Sequence, residues 1–283
     1  MYFKIIKKKR RQMGQNPKNK LYKFRALNKY TLDILEKNRL YVSDFEKLND
    51  SMEGLFFYCS KQEKLSDKMR EEKLEYKICS LSTTNKEPLL WAHYADNFKG
   101  ICIKVQTNYN EENIDYVSKQ TFLNNSTSAK KLLTQKTFHW KYEKEKRVLI
   151  KDNKNSKYID IEIIAIYCGL RIEALEKKYS EKLLNIAREK KIKVYQTEIS
   201  EKLNIINGKD IKILENNFKK KLRIKLNENS TFNVETLKNI YRKEVAKNYF
   251  FLEIWCEEFL EETSNADLSN SLNSFISKNN RKQ

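Results

Sequence analysis

The chain has 283 residues, 40% hydrophobic and 34% charged, with 5 Gly, 2 Pro and a formal net charge of +19. That balance predicts a soluble globular protein of one large domain, or one domain plus an appendage. No apolar run reaches the ~20 residues of a membrane helix, and the basic N-terminal residues have no apolar core behind them. Neither a membrane span nor a secretory signal is expected. The five scattered cysteines read as free thiols of the reducing cytoplasm rather than disulfides or zinc ligands.

The charge is uneven. Residues 1–32 hold eleven Lys or Arg and no acid, so the other 251 residues carry only about +8. The arm at 1–20, densest at Lys7, Lys8, Lys9, Arg10 and Arg11, is the expected place for contact with nucleic-acid phosphates; its alternative role is a solvated tail. Residues 21–215 then alternate strand-like and helix-like segments. Leu21–Arg25 alternates as a half-buried strand, Asn28 caps a short helix, and Leu40–Ser43 is a second strand. A polar loop covers 48–54, an amphipathic helix 61–76 and a strand 76–82. Pro88 opens a short helix, 101–105 is a strand, 116–117 a further one, and 127–138 reads as helical. Arg147–Ile150 and Ile161–Cys168 are strands, the latter apolar enough to be central. A charged helix over 171–190 and a strand over 193–199 follow. Strands and helices without a regular βαβ repeat predict an α+β fold with a mixed or mainly antiparallel sheet and flanking helices.

A C-terminal helical extension is expected over 216–262. There Leu237, Ile240, Tyr241, Val245, Tyr249, Leu252 and Trp255 have near-helical spacing. Such a stripe is either a helix packed on the domain or, over 234–261, a surface for self-association or a partner protein. The Ser/Asn-rich tail at 263–283 is expected to be disordered.

Two aromatic-polar clusters stand at strand entrances, where a rigid sheet can aim reactive groups. One is Trp91-Ala92-His93-Tyr94-Ala95-Asp96, and the other is Trp140-Lys141-Tyr142-Glu143-Lys144-Glu145-Lys146-Arg147. Between them they hold two of the three tryptophans, and the only two histidines are His93 and, just before the second cluster, His139. Gly-rich phosphate loops, a Gly-x-Ser-x-Gly elbow and a His-Glu-x-x-His helix are absent from the sequence. With two His and no paired Cys, no metal site is predicted.

Several segments occur in a telling order: Leu21–Arg25, Arg39–Ser43, Leu48-Asn49-Asp50, Trp91–Asp96 with Gly100, Trp140-x-Tyr142-Glu143-x-Glu145-x-Arg147, and Ile166-Tyr167-Cys168-Gly169. Together, over roughly residues 20–200, they resemble the bacterial family called domain of unknown function 2971. Ser51 and Met52 depart from that family's usual Pro and aromatic after Asn-Asp. The resemblance implies a role near phage-defence and toxin–antitoxin loci, without a mechanism.

The order Arg25, then Ser80 and Ser82, then Glu143-x-Glu145 is also similar to that of Arg–Ser–Glu ADP-ribosyltransferases. This likeness implies NAD as substrate. Arg25, Ser82 and Tyr94 would bind it, and Glu145, Glu143 and His93 would serve catalysis. Arg25 would hold the phosphates, and Glu145 would stabilise the cationic carbon as nicotinamide leaves. Glu143 and Glu145 are expected two apart on one strand face, kept together by a cation from Arg25 or Arg147. The alternatives are that Arg25 pairs with Glu145 across strands and the tryptophans are core. The rival functions are a nucleic-acid-binding or sensing module and a non-catalytic antitoxin or partner subunit.

Overall fold

The computed structural model describes residues 20–119, 121–151, 157–172, 177–202 and 204–211. The expected arm (all but Lys20), helical extension and tail therefore lie outside the described residues, as do Lys7, Lys8, Lys9, Arg10 and Arg11.

The first strand, β1 (Leu21–Arg25), leads into helix α1 (Lys29–Lys37). Asn28 caps α1, its side-chain oxygen accepting from the N–H groups of Tyr30 and Thr31. The helix ends at Asn38, whose φ of 52° is the left-handed turn that Asn tolerates. After it come β2 (Arg39–Tyr41), β3 (Phe56–Phe57), α2 (Glu63–Leu74), β4 (Tyr76–Ser82) and α3 (Pro88–Tyr94). The middle of the chain supplies β5 (Ile101–Thr107), β6 (Glu111–Asn113), β7 (Asp115–Val117), β8 (Thr121–Phe122), α4 (Ala129–Leu132), β9 (Gln135–Thr137) and β10 (Glu145–Lys151). The described part closes with β11 (Tyr158–Cys168), α5 (Lys177–Glu189), β12 (Lys193–Ile199) and β13 (Ile205–Asp210).

The fold is α+β. Its main sheet runs β13-β12-β11-β5-β1-β4-β10-β6, with β2 added on β11. Every pairing in it is antiparallel except β11 with β12. The apolar strand β11 is interior, between β5 and β12. Its first residues alternate outward and inward against β2, and Ala165–Cys168 are all buried. The main core combines the inner faces of β1, β4, β5 and β11 with Leu32 and Leu35 of α1 and Leu183, Leu184 and Ala187 of α5. The Lys190 amine ties the end of α5 to the carbonyls of Leu35 and Glu36 in the last turn of α1.

One expected helix is mostly something else. Over 127–138 only Ala129–Leu132 is α-helical, capped by the Ser128 hydroxyl. Gln135–Thr137 then pairs in parallel with β7. A neighbouring strand edge outweighs the weak local helix preference, and it turns Lys136 into the interior.

Strand β1 pairs with β5 along its whole length, but touches β4 at a single register position, Tyr22 opposite Ser82. Beyond it the two strands part. Ser43, just past β2, bridges Ile78 of β4 instead, with both N–H···O contacts at 2.8 Å. β4, β1, β5, β11 and β2 thus form a closed circuit of backbone pairing with one gap, between β1 and β4.

Candidate functional site

A cleft of about 330 Å³ occupies that gap. Arg25, Ser82, Tyr94, Glu143 and Glu145 all line it. Residues of an antiparallel pair that face each other share a sheet face, and neighbours along a strand alternate. Glu145 opposes Ser82, which opposes Tyr22, so these lie on one face. Lys23 opposes Ile103 and Arg25 opposes Ile101, which puts both cations on the other face, towards the main core. The split between β1 and β4 brings the two faces into one cavity.

The carboxylates are held by a buried ionic cluster. Arg147, fully buried, uses all five of its N–H donors: Nε on Glu145, Nη1 on Glu53 and the Leu133 carbonyl, Nη2 on Glu53 and Glu145. Lys136 donates to Glu143 at 2.5 Å and to Glu145 at 3.2 Å, and its amine lies 4.6 Å from the Trp140 ring centroid. Two carboxylates that would repel each other therefore share one ammonium. Burial pushes the Glu145 carboxyl up, but Arg147 and then Lys136 outweigh it and hold it down to about 2. Burial raises the Glu53 carboxyl despite its Arg147 partner. For Arg147 burial works downward, and Glu145 and Glu53 reverse it, so the guanidinium stays charged.

The approach to Glu143 is ordered by its neighbours. Tyr94 Oη donates to Glu143 Oε1 at 2.7 Å, and Asn49 Nδ2 donates to the same hydroxyl at 3.3 Å. Burial, and then the carboxylate, push the Tyr94 phenol far up, so it stays a donor. Ser82 Oγ donates to the Glu143 carbonyl at 2.7 Å and accepts from the Thr84 N–H at 3.1 Å. Ser82 thus fixes the turn that carries Glu143. The loop over 48–54 is pinned at its far end by the Glu53–Arg147 fork and by Lys73, whose amine donates to the Gly54 carbonyl at 2.9 Å. Gly54 has a φ of 65°, a conformation that glycine adopts without strain.

Three expectations need correction. Glu143 and Glu145 do not sit on one strand: Glu143 ends a 3-10 turn over Phe138–Glu143, Lys144 is left-handed at φ 45°, and β10 begins at Glu145. The ammonium between them comes from Lys136, with Arg147 on Glu145 alone, and Arg25 pairs with neither. His93 is exposed beside the rings of Tyr94 and Tyr142 and does not line the cleft, because α3 turns Tyr94 towards Glu143 and His93 away. Trp91 is core, fully buried, with its indole N–H on the Asn85 carbonyl and Phe24 edge-on at 5.2 Å.

Sequence reasoning missed Lys136, Glu53, Asn49 and Lys23. Lys136 falls in a segment read as helix, and Glu53 reaches Arg147 from 94 residues away. Lys23 had a signal that could have found it, since it is two residues before Arg25 on a strand and so on the same face. No protein-family model, curated protein or solved structure matches the chain.

Proposed function

We propose that the chain is an ADP-ribosyltransferase-like effector of bacterial phage defence or a toxin system, with NAD as its substrate. One observation carries this reading: a guanidinium without an ion pair among the described residues, Arg25, and a fixed carboxylate pair, Glu143 and Glu145, line a single cleft where the central sheet splits. The resemblance to the domain of unknown function 2971 family supports the biological setting. The order Arg25, Ser82, Glu143-x-Glu145 supports the chemistry.

In the reaction the bond between ribose C1′ and the nicotinamide nitrogen breaks, and its electron pair leaves with nicotinamide. Positive charge develops at C1′, an acceptor nucleophile attacks there, and the acceptor's proton passes to solvent. A preorganised carboxylate favours the cationic transition state. Glu143 is the better placed of the two. Each of its oxygens accepts one bond, from Tyr94 or Lys136, which leaves lone pairs for a ribose hydroxyl. Glu145 is committed to Arg147 and Lys136, and acts as the anchor that holds Lys136 in place.

The test is nicotinamide release from NAD by the purified full chain, with candidate protein and nucleic-acid acceptors. Release that disappears in Glu143→Gln at near-native thermal stability supports the reading. Absence of binding at millimolar NAD overturns it.

A further inference from the structure

Besides Lys47, which pairs with Asp44, the cleft holds two cations that the ionic cluster does not use. Lys23 and Arg25 follow each other on one face of β1 and both line the cavity. Neither forms an ion pair among the described residues. The Lys23 amine has one hydrogen-bond partner there, the Ser80 carbonyl at 2.7 Å, in the gap that separates β1 from β4. Both are half-buried, and cations withdrawn from water are ordinarily paired, because removing an ammonium from water is costly unless an anion replaces the solvent. Among the described residues, no counter-charge pairs with either cation.

We infer that Lys23 and Arg25 form a two-cation seat for a dianion of the pyrophosphate or phosphate class, with Lys23 the inner of the two. The seat deepens the proposed transferase function and rests on it only for what else the ligand carries. The strand register supports the order: the Lys23 amine reaches Ser80 of β4, which opposes Arg147 and lies two residues before Ser82, opposite Glu145. Arg25 on β1, Cys79 on β4, Glu145 on β10 and Glu143 in the preceding turn are the titratable groups that act on Lys23. Lys23 thus lies on the β4 side of the cleft, next to the strand that carries Glu145. A dianion on Lys23 and Arg25 would extend its sugar towards Glu143. Burial first, and then Arg25, lower the Lys23 ammonium, opposed by Cys79 and the two glutamates. A bound dianion restores the proton, so binding above the free amine's lowered value takes up a proton and weakens as pH rises further.

The experiment is titration calorimetry of the full chain with inorganic pyrophosphate, and with inorganic phosphate and NAD as separate arms. Lys23→Gln and Arg25→Gln are each expected to weaken pyrophosphate binding by about tenfold or more, the worth of a charge-assisted hydrogen bond. Lys182→Gln, at an exposed ion pair with Glu36, is the control and binds as the parent does. Lys23→Met without ligand is expected to melt no lower than the parent, since an uncompensated cation has been removed, while the rise of Tm with pyrophosphate is lost. Unchanged affinity in Lys23→Gln, or no binding by the parent at millimolar pyrophosphate, overturns the seat. If the Lys23 variants fail to fold, Arg25→Gln decides, because its guanidinium has no ion-pair partner among the described residues and only affinity should change. Lys23-dependent binding of phosphate but not pyrophosphate assigns a terminal phosphate. Pyrophosphate binding without NAD binding keeps the seat and removes the transferase reading. NAD turnover unaffected by Lys23→Gln does the reverse.

Discussion

Arg147 and Glu53, 94 residues apart, share two parallel hydrogen bonds, Nη1 to Oε1 at 2.5 Å and Nη2 to Oε2 at 2.8 Å. Both side chains are buried, and the fork fastens the loop over 48–54 to the start of β10. Replacing Arg147 by Met strands two carboxylates away from water. We expect a loss of about 3–5 kcal/mol, read as a shift of the urea midpoint. A loss under about 1 kcal/mol, the usual worth of a surface ion pair, would mean that the cluster is not buried as described.

Acid should unfold the protein partly through Glu145. Its folded value of about 2 lies below the ordinary 4.5, so its contribution to stability is present above pH 4.5 and lost as pH falls towards 2. Glu145→Gln should therefore flatten stability against pH between 4.5 and 2, by at most about 1.4 kcal/mol per pH unit. Equal slopes for parent and variant in chemical unfolding would contradict the assignment.

Tyr94→Phe removes the donor on Glu143 and keeps the ring. Stability should fall by about 1 kcal/mol, the net worth of one hydrogen bond. NAD turnover should fall much further, because Glu143 loses its orientation. Loss of turnover only in proportion to unfolded protein, measured by circular dichroism on the same samples, would assign Tyr94 to the scaffold alone.

Gly100 is a second route to the site. A Cβ there would lie 2.2 Å from the Arg25 carbonyl, a backbone atom that cannot swing aside. Gly100→Ala should cost at least about 1–3 kcal/mol as overpacking and should displace the end of β1. Its signature is weaker pyrophosphate binding with Arg25 still present, and retained affinity would show that β1 tolerates the shift.

The N-terminal arm makes a separate prediction. Deleting residues 1–19 removes seven bases and no acid. Any nucleic-acid affinity should then fall and its dependence on salt should flatten, since fewer counterions are released. A salt slope unchanged by the deletion would place such binding elsewhere.

Much of the architecture was legible in local pattern. Alternation at Leu21–Arg25, the Asn28 cap, Pro88 and the apolar run over Ile161–Cys168 each report a preference that a few neighbouring residues impose. The same alternation carried Arg25 into the cleft, and the Trp140–Arg147 cluster did mark a strand entrance. What sequence could not decide depends on partners far along the chain. Part of the 127–138 segment became a strand because β7 offered an edge to it, and Lys136 thereby became the ammonium shared by Glu143 and Glu145. His93 and Tyr94 are adjacent in sequence, yet one faces solvent and the other Glu143, a choice made by how α3 packs. The cleft itself exists because β1 meets β4 at one position while Ser43 takes the edge at Ile78. Residue type and spacing set which groups were available and which way each short segment preferred to run. Only strand pairing and burial, which are properties of the whole chain, decided which charges of the cleft would find ion-pair partners among the described residues and that Lys23 and Arg25 would be left without one there.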